Sequence, residues 1–390
     1  MIKHFILLVM LFVSTVAASR DLSHYVAGRL QQANQLAQDD NLKKAIDILR
    51  KTEASFDYDK AFIARMLGVF YWQNGQTQQA IEQLKYAVSS EQLKDDQAWV
   101  SERMLADLYL NERAFKQALK HYYKLIKVVP LAQLKPDVWL RVAQSHYQLE
   151  QWEDVIVTID RYLDTDIKDR RQALTIKLGA QLALKRSHDA IDTLALLIEI
   201  EPDKLQWWRQ LSVLQMQLGQ QRQALSTLSL AKLNGLPLSE SDRHLLAQMY
   251  ARQGIPERAA IEISQLEGAQ TSSQLLAEQA SYWQTAKQWD LAISVWNKAA
   301  QQDPKYNWNL AKLLVQQGLY DESIPILDRV KGREMDVALV KCLAFYKLNQ
   351  LDNALLEAKQ ADQIEPSNQA KRWITFLSEL IASSRKTTAV

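Results

Sequence analysis

Gly68-Val-Phe-Tyr-Trp-Gln-Asn-Gly75, followed by Gln79-Ala-Ile-Glu-Gln-Leu-Lys-Tyr-Ala87, is the stretch on which the reading of the fold turns. A small residue with an aromatic three positions on closes one segment, and a glycine punctuates it. The second segment opens on a small residue, with bulky apolar residues spaced by three and four, the mark of a helix face. The same offsets return in Ala106, Tyr109, Ala118, Tyr122, Leu125 and Pro130, and again in Ala280, Trp283, Ala292, Trp296, Ala299 and Pro304. Two short helices joined by a tight turn, repeated along the chain, account for that periodicity.

Composition points the same way. The 390 residues include only 10 glycines and 8 prolines, well below the usual shares of about 7% and 5%. Sandwiches, propellers and doubly wound sheets need many more turn residues, so this composition disfavours them and points to helices. With 47 Lys+Arg against 45 Asp+Glu the net charge is +2, which argues against a nucleic-acid-coating protein. The single cysteine, Cys342, leaves no intramolecular disulfide and no cysteine-based zinc cluster.

Working outward, the small residue that opens the second helix recurs at Ala45, Ala80, Ala118, Val155, Ala190, Ala224, Ala259, Ala292, Ser323 and Ala354, at intervals of 31 to 38 residues. The first helix of each unit carries a leading bulky residue (Trp139, Trp208), a leucine (Leu67, Leu105, Leu211, Leu246) and a small residue (Gly68, Ala106, Ala143, Ser212, Ala247, Ala280, Ala311, Cys342). Prolines close several units, at Pro130, Pro202, Pro304 and Pro366. This pattern resembles the tetratricopeptide repeat, whose period is about 34 residues. The resemblance covers residues 23–366. It implies an all-α, right-handed superhelical solenoid of about ten helix-turn-helix repeats that binds protein in its concave groove. Pro325 should kink or delay the helix that holds it.

The expected organisation is a signal peptide at 1–19, the solenoid at 20–366, and a capping helix and frayed tail at 367–390. In the first segment Lys3 and His4 precede nine apolar residues, Phe5 to Val13, and then the small-residue run Ser14 to Ser19. That is the layout of a cleaved secretory signal, too short to span a bilayer. In the last, Trp373, Ile374, Phe376, Leu377, Leu380 and Ile381 fall mostly on one helical face. No linker or second domain is expected, and Asn234-Gly235-Leu-Pro237 is the clearest bend.

No catalytic constellation is expected, and no metal or cofactor. No glycine pair fits a phosphate loop. The histidines at 4, 24, 121, 146, 188 and 244 lack the i, i+4 spacing of a zinc helix. Asp39-Asp40 and Asp95-Asp96 read as solvated caps, and Cys342 as a buried, inert thiol. Of the tryptophans, Trp139, Trp152, Trp208, Trp289 and Trp296 read as core.

The resemblance places two sets of side chains on the groove. Trp72, Tyr147 and Trp308 are aromatic candidates for partner contact, and Arg65, Arg103, Arg141, Lys177 and Arg209 form a basic series one repeat apart. The series can be read as solvated bases paired with acids such as Glu102 and Asp107, or as a ladder that grips an acidic, extended segment through bidentate bonds. On the second reading Arg103 is exposed, and reversing its charge weakens binding without disturbing the fold. The asparagines of the family's chaperone-binding carboxylate clamp are replaced here by Val69 and Asp107, so that specificity is not carried over.

The expected function is an exported, periplasmic, non-catalytic scaffold for a protein partner, with no nucleic acid. The whole-chain layout is also similar to tetratricopeptide proteins that accompany TonB-type energy-transduction systems. That likeness implies peripheral association with an inner-membrane ExbB/ExbD/TonB complex serving iron-chelate uptake. The alternative is an accessory module of a peptidoglycan or exopolysaccharide enzyme.

Overall fold

The computed structural model describes residues 22–128, 136–165 and 167–387, with side chains as far as residue 383. The signal segment and Pro130 lie outside the described residues. Within them the fold is all-α: twenty-one α-helices and no strand. The chain divides into two compact units, Met1–Thr193 and Leu194–Val390. The division falls inside a helix.

In the first unit antiparallel pairs follow one another: α1 (His24–Gln38) with α2 (Leu42–Arg50), α3 (Asp57–Gln73) with α4 (Thr77–Ser89), α5 (Asp95–Asn111) with α6 (Phe115–Val128), and α7 (Pro136–Gln148) with α8 (Trp152–Leu163). Next come α9 (Arg171–Ala183) and α10 (Ser187–Ile200), within which the units divide. The second unit pairs α11 (Leu205–Gln217) with α12 (Gln221–Leu233), α13 (Glu240–Arg252) with α14 (Pro256–Ser264), and α15 (Ser273–Thr285) with α16 (Trp289–Gln302). A 3-10 turn at Pro304–Tyr306 leads into α17 (Asn307–Gln316) with α18 (Tyr320–Leu327), then α19 (Glu334–Lys347) with α20 (Leu351–Ile364), and finally α21 (Asn368–Thr387).

Each hairpin closes at its small residues. All ten anchor positions, from Ala45 to Ala354 and including Val155 and Ser323, are 0% exposed. At the α3–α4 crossing a Cβ on Gly68 would lie 2.5 Å from Leu84 Cγ, so only glycine permits that approach. At the α11–α12 crossing the Ser212 hydroxyl donates to the Ala224 carbonyl at 3.1 Å, showing how near the two backbones come.

The turns share one device. Each holds a residue in the left-handed region: Asp40, Gly75, Arg113, Glu150, Lys185, Gly219, Gly254, Lys287, Gly318 and Asn349, with φ between 57° and 78°. At the first glycine turn the Gln76 N–H donates back to the Tyr71 carbonyl at 2.8 Å, satisfying an end-of-helix acceptor.

Two local expectations meet the structure directly. Pro325 lies inside α18, which is only 8 residues long and ends two positions later. Helix α21 continues to Thr387, so the helix runs further into the tail than its sequence implied. Trp373 packs against Leu339 and Ala361, and Leu377 against Cys342 and Ala358, which lays α21 along α19 and α20.

Candidate functional site

The basic series is where the structure departs most from the open ladder. Arg103 is largely buried, with 15% of its side chain exposed, and its Nη2 donates to Asp137 of the next repeat. Its Nε also lies 3.8 Å from Asp107, one turn along its own helix. Arg141 faces the same two acids, at 3.5 Å from Asp107 and 3.9 Å from Asp137. Lys177 reaches back to Asp160 of α8 at 2.5 Å. In the second unit Arg209 Nε donates to Asp242 Oδ1 at 2.9 Å.

Four of the five bases are therefore held by carboxylates of this chain. Arg103 to Asp137 and Arg209 to Asp242 span 34 and 33 residues, about the repeat itself, so each pair fastens the first helix of one repeat to that of the next. Arg103 is thus not the exposed, spare base that a charge reversal would probe without disturbing the fold. A glutamate there would face Asp137 and Asp107. Glu102, expected beside the bases, instead accepts from His121 Nδ1 at 2.7 Å.

Polar chemistry reinforces these fastenings. Tyr122 OH donates to Asp107 Oδ1 at 2.5 Å. Burial pushes the Asp107 carboxyl up, against the pull of Arg141, Tyr122 and Arg103. Asp242 is the reverse case. Burial raises it, but hydrogen bonds from Arg209 and from Ser239 outweigh that and hold it below the usual carboxylate range. Asp242 and Ser239 also form the capping box of α13, so one carboxylate serves a helix start and a repeat interface together.

Arg65 differs from the other four. Among the described residues no carboxylate pairs with it. Its guanidinium lies over the Phe62 ring, 5.5 Å from the centroid, and its Nη1 is 3.7 Å from the Met66 sulfur. Its Nε is buried without an acceptor.

The aromatic candidates also separate. Trp72 is 44% exposed. Tyr147 is half-buried, edge-on to Trp152 at 5.0 Å, with its hydroxyl packed over Gly179 of the next repeat. Trp308 is half-buried beneath two cations, Arg333 at 5.4 Å and Lys312 at 5.8 Å. The structure thus leaves Trp72 exposed near the end of α3 and gives Tyr147 and Trp308 packing partners. Tyr58 and Phe62 also lie on this face of α3, and Val69, which stands in place of a clamp asparagine, falls between Arg65 and Trp72. With Arg65 and Trp72 they make a strip spaced four, three, four and three along α3, a signal readable in the sequence.

No protein-family model matches the sequence, and no curated protein matches it. Solved structures do resemble it. One is a tetratricopeptide repeat protein from Parabacteroides merdae, at 14% identity and a TM-score of 0.39, covering 67% of this chain and 99% of that one. Another is the C-terminal part of a TPR repeat-containing protein from Cytophaga hutchinsonii, at 13% identity and a TM-score of 0.40, covering 70% and 95%. A third is MamA from Desulfovibrio magneticus, at 16% identity and a TM-score of 0.32, covering 38% and 89%. At these identities the likeness is one of fold. The hairpins themselves, with buried small residues at every crossing, give the chain its tetratricopeptide-repeat architecture.

Proposed function

We propose that this chain is a non-catalytic adaptor that holds a protein partner in the groove lined by its first helices. One observation carries the reading. Helix α3 buries Ile63, Leu67, Phe70 and Tyr71 and packs Phe62 and Val69 against the core, yet leaves Trp72 at its end 44% exposed. A large aromatic left exposed on a repeat is a usual anchor for a partner.

The adaptor acts after export, in the periplasm. The support is the arrangement of Lys3, the apolar run Phe5 to Val13 and the small residues that follow. Among the described residues no helix is long and apolar enough to cross a membrane. The partner we favour belongs to a TonB/ExbB/ExbD energy-transduction complex, reached peripherally, on the whole-chain resemblance alone. A peptidoglycan or exopolysaccharide enzyme is the alternative.

The test is a photoreactive amino acid at position 72 of the full-length chain, expressed in its own host and irradiated in intact cells. The expected result is a mature N-terminus at Ser19 or Arg20 in the periplasmic fraction and a protein crosslinked at position 72. The identity of that protein separates the two partner classes. A full-length cytosolic chain would overturn the export reading. The absence of any crosslinked protein from position 72, and from matched probes on the other first helices, would overturn the adaptor reading.

A further inference from the structure

Asn74–Gly75 and Asn234–Gly235 are the two Asn-Gly pairs of the sequence. Both sit at a helix end in nearly the same backbone shape. Asn74 caps α3 at φ −84° and ψ 7°, Asn234 caps α12 at φ −73° and ψ 4°, and the glycines follow at φ 75° and 78°. Each glycine N–H donates into the last helical turn at 3.0 Å, from Gly75 to the Trp72 carbonyl and from Gly235 to that of Lys232. Such a pair is chemically reactive. The asparagine amide carbon is within reach of the next backbone nitrogen, and a glycine there has no side chain to obstruct the approach and turns easily into the geometry required.

The settings of the two pairs differ. Asn74 is half-buried, and its amide donates to Gln76 Oε1 at 2.7 Å. Gly75 and Gln76 alone separate it from α4, whose Ala80 and Leu84 are fully buried where Gly68 brings the helices together. That turn opens only if the hairpin parts. Asn234 is exposed, and its side-chain amide has no hydrogen-bond partner among the described residues. Three residues, Gly235 to Pro237, intervene before Leu238 is anchored in the core, and α13 begins only at Glu240. Pro237 has no N–H to tie this stretch down and disposes Leu236 to extended backbone. Freeing the Gly235 nitrogen breaks its bond to Lys232 and the neighbouring one from the Leu236 N–H to the Ala231 carbonyl, at 3.1 Å, while α12 and α13 stay in place. Fraying helix ends and loops open at far lower cost than packed hairpins.

We propose that Asn234 is a self-modification site, converting in water to aspartate and isoaspartate, and that the fold protects the same dipeptide at Asn74. The Gly235 nitrogen attacks Asn234 Cγ and gives its proton to water, ammonia leaves, and a five-membered succinimide closes. Water then opens either carbonyl of the ring. One opening leaves aspartate on an unchanged backbone; the other leaves isoaspartate, whose backbone runs through the former side chain and is one methylene longer. One water enters and one ammonia departs, with no other reactant. Both products place a carboxylate at the C-terminus of α12, against the helix dipole, and isoaspartate also lengthens the joint between α12 and α13.

Peptide mapping by mass spectrometry tests this on the purified full-length chain, kept native or unfolded in guanidinium chloride, in one mildly alkaline buffer and sampled over time. Digestion in heavy-oxygen water marks any conversion that occurs during work-up. In the native chain Asn234 should convert at least about tenfold faster than Asn74, the ratio set by about 1.4 kcal/mol of difference in opening free energy. Unfolding should bring the two rates together, chiefly by accelerating Asn74. Three results would overturn the proposal: a native Asn74 rate equal to or above that of Asn234, an Asn234 amide that persists in the native chain while the unfolded chain converts, or rates that stay equally far apart after unfolding.

Discussion

Replacing Gly68 with alanine puts one methyl group into the crossing of α3 and α4. Its carbon would lie 2.5 Å from Leu84 Cγ, 3.0 Å from Leu84 Cδ2 and 3.3 Å from the Ala80 carbonyl oxygen. Carbon atoms rest at about 3.5–4.0 Å from one another, so the two helices must part by roughly 1 Å or Leu84 must leave its rotamer. Leu84 and Ala80 are both 0% exposed, which leaves neither with room to move. Overpacking of this kind costs about 1–3 kcal/mol. Against it stands the helical preference of alanine over glycine, about 0.5–1 kcal/mol. The expected net loss is about 1–2 kcal/mol. Gly28 in α1 supplies the control. It is exposed, nothing lies within 4 Å of its would-be Cβ, and alanine there collects the helical gain alone. Urea unfolding followed by far-ultraviolet circular dichroism should lower the midpoint for Gly68→Ala and raise it for Gly28→Ala, with the slope unchanged in both. A Gly68→Ala midpoint at or above that of the parent would refute the claim that backbone approach sets residue size at the crossings.

Three further expectations follow from buried groups. Glu262 is 4% exposed and held by Lys232 Nζ at 2.6 Å from both carboxylate oxygens, so Lys232→Met should cost about 3 kcal/mol by stranding a charge; a midpoint unchanged within error would contradict this. Because the Asp242 carboxyl is held below the usual range, its stabilisation is complete above the unfolded value of about 3.9 and is lost as pH falls through the lower, folded value. The stability gap between the parent and Asp242→Asn should therefore shrink on acidification below about pH 4, and a gap constant with pH would exclude the effect. Burial pushes the Cys342 thiol up to about 12, so a thiol reagent at about pH 8 should leave the native chain unlabelled and react fully once urea unfolds it.

Much of this architecture is legible because the repeat imposes the same steric demand each time. Ala45, Ala118 and Ala354 are small for one reason, and counting between them recovers the hairpins. Trp139, Trp208 and Trp296 could likewise be assigned to the core from their places in the frame. The basic series shows where such counting stops. Position along the repeat puts Arg103 and Arg209 on the right face, but Asp137 and Asp242 occupy the same face one repeat later. Only the registry of stacked helices shows that each acid meets the preceding base. Arg65 has the same address and a different fate, because no acid occupies the matching place. The division inside α10 had no signal to read, since no glycine or proline falls between Arg186 and Glu201.

The left-handed turn residues have a consequence for how the chain wears out. Gly75 adopts its φ of 75° without penalty, whereas Arg113, Glu150 and Lys185 occupy successive turns of the first unit with φ of 57–59°. A residue with a Cβ gives up about 1–2 kcal/mol in that region. Stacked repeats lean only on their neighbours and would ordinarily fray from their ends. Here four of the first unit's five hairpin turns, Asp40 included, are already under load, so its transient openings spread along the unit, where a protease would cut an interior joint as readily as it trimmed a terminus.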